Sequence, residues 1–197
     1  MDAPDDLVIS DTRIWLERAV IGLNLCPFAK GVHVKQQIHY RVSAANGPQE
    51  LLRDLRTELL DLVAQPADVR DTTLLIAPGC LGDFLDFNEF LADADQLLVE
   101  LELEGVLQIA AFHPNFQFAG TAADDIGNCT NRSPYPTLHL LREDSIERAV
   151  QAIPEAQDIY EQNIRTLKAL GIAGWVALGV GPTETLPQDG TPPGAKS

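Results

Sequence analysis

The segment VLQIAAFHPNFQFAGTAADDIGNCTNRSPYPTLHLLRE, residues 106–143, decides how this chain is read. Its ends, VLQIAAF (106–112) and TLHLLRE (137–143), are apolar runs of strand length. Between them lies a connection of over 20 residues with neither helical nor strand period. Connections of that length are uncommon in a compact domain and, when ordered, are usually functional. Pro114, Pro134 and Pro136 stiffen this one, because each fixes its own backbone and biases the preceding residue to extended forms. The segment therefore supplies two strands and a preorganised candidate site between them.

Working outward, TTLLIAP (72–78) is a short apolar run bounded by turn formers and suits a buried strand. VHVKQQIHYRV (32–42) alternates, with Val32, Val34, Ile38, Tyr40 and Val42 on one side and His33, Lys35, Gln37, His39 and Arg41 on the other. That predicts a strand at a sheet edge, or a sheet face partly open to water, with a stripe of cations that discourages strand addition. Helices are predicted over SDTRIWLERAVIGLN, capped by Ser10 or Asp11 and ending before Pro27, and over PQELLRDLRTELLDLV after Asn46-Gly47-Pro48. A third runs from about Asp83 to Glu104, with Gly105 as its stop. Helix returns from Ser145, breaks at Pro154 and resumes through EAQDIYEQNIRTLKALG.

This order predicts an α/β sandwich with a mixed sheet of about four strands and helices packed mainly on one face. Right-handed crossovers would join the first three strands in parallel. The expected division is a flexible N-terminus over 1–9, one globular domain over 10–180 and a disordered, apolar-poor tail over 181–197. A chain of 197 residues, 45% hydrophobic, is long enough for one substantial core.

Fourteen Lys and Arg stand against 29 Asp and Glu, a formal net charge of -15, which opposes attraction to phosphate backbones and anionic membranes. No uncharged apolar run approaches the roughly 20 residues of a membrane span. Cys26, Cys80 and Cys129 are odd in number and widely spaced, and MDAPDDLVIS lacks a basic, then apolar, leader. Free thiols in a cytoplasmic protein are expected, with no nucleic-acid or membrane partner. The phosphate-loop, GxGxxG, GxSxG and HExxH patterns do not occur. Cofactor and oligomeric state are left open.

The loop offers most of the polar side chains used in binding or catalysis. His113 follows directly on a strand end, where open α/β sheets place site residues; it can be a general base, a metal ligand, an anion donor or a strand cap. Arg132 can clamp a carboxylate or phosphate through two parallel bonds, or pair with Asp124 or Asp125 to fold the loop. Asn131, Asn115 and Tyr135 are candidates to orient the same ligand. His139 shares a strand face with Leu141 and Glu143, either as a buried structural residue or as part of the site. Asp124, Asp125 and Asn128 suit a hard cation or a set of Asx turns. Cys26 stands between the end of the first helix and Pro27, where its thiol is activated if it lies at a helix N-terminus and discouraged from ionising if it lies at a C-terminus.

Three functions follow as expectations. The first is an enzyme for a small anionic metabolite, a carboxylate or phosphate, with His113 and Cys26 catalytic and Arg132, Asn131, Asn115, His139 and Tyr135 binding. The second is a noncatalytic module binding a metabolite or protein through the loop. The third is a metal-dependent hydrolase using His113, His139 and Asp124 or Asp125; no metal ligand is assigned outright.

The phrases IGLNLCPFAKG (21–31), TTLLIAP with DFLDFNEFL, FHPNFQFAGT, the Asp124-Asp125 pair and NRSPYPTLHLLRE together resemble the mostly bacterial family catalogued as domain of unknown function 1415. The resemblance spans about residues 10–172. It implies a bacterial cytosolic protein and carries with it no reaction or cofactor. Phe116 stands where the family usually has Tyr, so a hydroxyl there is dispensable in this chain.

Overall fold

Four strands form one sheet in the order β1-β2-β4-β3: β1 Ile38–Val42, β2 Thr72–Ile76, β3 Leu107–Phe112 and β4 Thr137–Arg142. The computed structural model describes residues 4–152 and 158–183. β1 and β2 run parallel, joined by α3 (Pro48–Ala64). β4 then inserts antiparallel between β2 and β3, so β2 and β3, linked by α4 (Phe84–Glu100), point the same way without touching. The mixed α/β sheet of four strands is as expected, with β1 at one edge.

The two-residue period splits the sheet into unlike faces. Thr73 and Leu75 of β2, Leu138 and Leu140 of β4, and Leu107, Ile109 and Ala111 of β3 face α3 and α4 and make the main core. Leu51, Leu55, Leu59 and Leu62, the stripe of α3, are 0% exposed. Burial of each contributes about 2 kcal/mol. Asp83 caps α4, its carboxylate accepting from the amides of Leu85 and Asp86. The opposite face carries Ile38, Tyr40, Leu74, His139, Ala110 and Phe112, and only part of it is covered.

Helix α1 (Asp5–Trp15), continued by a π-helical stretch over Leu16–Ile21, covers one end of that face. It starts at Asp5, not at Ser10 or Asp11. Asp5 and Asp6 occupy the first turn, where acids complement the helix dipole, and Val8 is fully buried. Residues 5–9 are thus the opening turns of a packed helix, not the flexible segment expected over 1–9. The expected strand beginning at Val32 is corrected as well. Ala29–Val34 form a short helix, α2, which ends through Gln36 at φ 58°, and β1 starts only at Ile38. Two alternating valines are too few to separate strand from a single turn of helix.

The cationic stripe dissolves with that strand. His33 lies on α2, 3.5 Å from Glu17, while His39 and Arg41 of β1 lie 3.8 and 3.6 Å from Glu58 of α3. Glu58 is buried and is bound by Arg70, which also donates to Thr73. Arg41 and Arg70 neutralise this internal carboxylate, while burial lowers the His39 pKa and disfavours its charged form.

Helix α5 (Glu143–Ala152) follows β4 directly, and α6 (Ile159–Ala177) kinks at Gly171, where φ is 68°. The break expected at Pro154 and the tail from residue 184 lie outside the described residues. Thr183, inside the expected tail, donates to Asp11 through its amide and its hydroxyl. Among the described residues no helix is long and apolar enough to cross a membrane.

Candidate functional site

The connection from His113 to Pro136 is ordered by its own polar groups. His113 is 0% exposed and sits between the rings of Phe84 and Phe87, at 5.5 and 5.1 Å. The amide of Asn115 donates to its Nδ1, so the ring proton is on Nε2, which donates to the Leu81 carbonyl at 3.0 Å. Both nitrogens are committed, and burial pushes the pKa down, which keeps the ring neutral. Asn128, also fully buried, accepts from the Phe118 amide and the Thr121 hydroxyl and donates to Ala122.

Arg132 donates to the carbonyls of Phe116 and Ala123, so its guanidinium ties the loop together without pairing with Asp124 or Asp125. The Asn131 side chain donates to Ala111, and Asn115 is exposed. Asp125 caps a 3-10 turn, Ile126–Asn131, by accepting from the Gly127 amide, which is the Asx-turn alternative. A Cβ on Gly127 would come 2.7 Å from the terminal methyl of Ile164 on α6, which would have to turn aside. Tyr135 donates to Asp11, a buried carboxylate on α1.

Two of the candidate residues lie elsewhere. His139 and Cys26 both line a cavity of about 770 Å³ over the open face of the sheet. Ile38, Leu74, His139, Ala110 and Leu141 form its floor, while Trp15, Leu16 and Val20 close one end, Phe28 and Val32 one side, and Ile146 and Ala149 of α5 another. The exposed mouth carries both signs of charge, with Lys35 and Arg148 against Asp68.

Within the floor, His139 Nε2 lies 2.7 Å from the Thr72 hydroxyl, which in turn donates to the Leu140 carbonyl at 2.6 Å. His139 is partly buried and keeps accessible surface, because it forms part of the cavity wall. His113, Arg132, Asn131, Asn115 and Tyr135 do not line this cavity. Among the described residues, no three His, Cys, Asp or Glu side chains converge as metal ligands, so the trio of the hydrolase expectation does not assemble.

A family model described as a protein of unknown function (DUF1415) matches residues 7–177. The chain belongs to the DUF1415 family. No curated protein and no solved structure matches it.

In this DUF1415 chain Cys26 and His139 are held uncharged. Burial pushes the Cys26 thiol up, outweighing the amides of Phe28 and Ala29 that favour its thiolate. Burial lowers His139 to about 4 from its ordinary 6.5. A histidine pKa depressed in the fold means the unfolded chain binds the extra proton first. Stability is therefore full above about pH 6.5 and falls as the pH drops toward about 4, by up to about 3 kcal/mol from this residue. Urea unfolding across that range should show the loss. His139→Phe should flatten the curve, and an unchanged slope in that variant would reject the assignment.

The missed signal lay on the strands. Thr72, Gln108 and His139 are polar interruptions of apolar runs, all on one sheet face, and Ala110 beside His139 is too small to fill the space above it. Pairing register is needed to see that they are neighbours.

Proposed function

We propose that this protein binds a small molecule in the cavity over the open sheet face, and that the 113–136 connection is the frame holding that face in place. The observation that carries this reading is the cavity itself. Its volume of about 770 Å³ lies within the roughly 300–1,000 Å³ range of small-molecule sites. It joins an apolar lining to a few inward polar groups, His139 among them.

Binding is favoured over catalysis by the state of those groups. A general base works best with a pKa near the working pH, and His139 sits well below neutrality. Cys26 is held as the thiol, whereas the thiolate is the nucleophile. The mixed charges at the mouth do not select an anion, and Arg132 is occupied by carbonyls, so a carboxylate or phosphate is not needed to explain the site. The unpaired cysteines support a cytosolic setting, which belongs to this proposal.

A panel of small aromatic fragments, screened by amide NMR on the full chain, tests it. Shifts should centre on Leu74, Ala110, His139 and Leu141, and filling the space with Ala110→Leu or Ala149→Trp should abolish them. Shifts confined to residues 113–136, or unchanged in both filled variants, would sink the reading.

A further inference from the structure

We infer that the ligand of this cavity has an apolar, ring-sized body bearing a neutral hydrogen-bond donor, a hydroxyl or N–H, aimed at Nδ1 of His139. The inference rests on the cavity being the binding site and names what it selects.

The tautomer of His139 follows from proton bookkeeping. Thr72 has one hydroxyl proton, and the Leu140 carbonyl, 2.6 Å away, has none to offer. Thr72 must donate to Leu140. Its oxygen can then only accept at the other contact, so Nε2 of His139, at 2.7 Å, carries the ring proton. A neutral imidazole protonated at Nε2 presents a bare lone pair at Nδ1.

Among the described residues, no N–H or O–H donates to that lone pair, and Nδ1 is not one of the buried atoms cut off from solvent. With Nε2 turned to Thr72, Nδ1 is the ring nitrogen left to face the cavity that His139 lines. The floor around it is apolar. Across the sheet, His139 is flanked by Leu74 and Ala110, and the Phe112 ring lies 6.1 Å away. Phe112 in turn packs edge-on against Trp15 at 5.2 Å. The small side chain of Ala110 leaves room for a flat ring above the sheet. Gln37 shares the cavity, but its side-chain amide is given to the carbonyls of Ala67 and Asp68.

A ligand with a donor at this depth pairs the lone pair. An ether or hydrocarbon of the same shape strips its water and leaves it unpaired, and a carboxylate or phosphate sets lone pair against lone pair. The site therefore discriminates in favour of a phenol-, indole- or alcohol-like group and against a buried anion.

Calorimetry of the full chain with 2-naphthol, 2-methoxynaphthalene and 2-naphthoate separates these cases. 2-Naphthol should bind about tenfold more tightly than either of the others. It alone should shift the Nδ1 resonance of His139 in nitrogen-15 spectra. In His139→Phe the three should bind alike. In Thr72→Val, which frees the ring to take either tautomer, the preference for 2-naphthol should shrink; this variant serves if the first does not fold. Equal binding of 2-naphthol and its methyl ether by the unmodified protein, or tightest binding of 2-naphthoate, would overturn the ligand class while leaving the cavity as a site. Binding of none of the three would overturn the cavity reading itself.

Discussion

Replacing His113 by alanine is expected to destabilise the fold by about 3–5 kcal/mol, lowering the melting temperature by about 10 °C. Two costs add. The ring fills the space between Phe84 and Phe87, and its loss leaves a cavity in the main core. The Leu81 carbonyl and Asn115 amide also lose their partner while remaining buried or half-buried. Leu81 has φ 54°, an uncommon backbone state for a bulky residue, and the bond from His113 helps hold it there. His113→Phe restores the packing without the bonds and should recover about half of the loss. Chemical denaturation measures both, and an alanine variant as stable as the parent would refute this structural role.

The second large effect is at Arg70. Glu58 is 5% exposed and takes its closest contact from Arg70, with Arg41 and His39 further off. Arg70→Leu strands a buried carboxylate with weaker partners and should cost about 3 kcal/mol, the lower end for breaking a buried pair because Arg41 remains. Glu58→Gln keeps a hydrogen-bonding oxygen and removes the charge, so it should cost about 1 kcal/mol. If Arg70→Leu proves neutral in urea titrations, the buried pair is not holding β1 and β2 to α3.

Much of the architecture was legible from period and punctuation. The leucine stripe of α3 and the uninterrupted run of β2 each say what they are, because one face or both must be buried. The strand order was not, since nothing local in TLHLLRE tells it to enter between β2 and β3. The helical turn at Ala29–Val34 was misread because its valines satisfy a strand pattern equally well.

The site divided along the same line. His113, Arg132 and Asn131 looked like chemistry because a long loop without secondary structure must satisfy its backbone with side chains, and the residues that do so are those used for catalysis. His139 stayed open between a structural and a binding role because it stands among leucines, although its other side faces open space. Whether a polar residue spends its bonds inward or offers them outward depends on packing that only the assembled sheet reveals.

The late insertion of β4 governs how the chain can be made. A nascent chain that has left the ribosome only as far as Asn131 holds β2 and β3 with their facing edges unpaired, because the strand that joins them starts at Thr137. Pairs such as Thr72 with Leu141 close a long stretch of chain, and contacts of that sequence separation form slowly. Until then, the apolar edge of β2 is an open template for another strand. During synthesis, the early helices and the first parallel pair must wait for the last third of the domain, and that interval is when the protein is most open to aggregation and most dependent on chaperones.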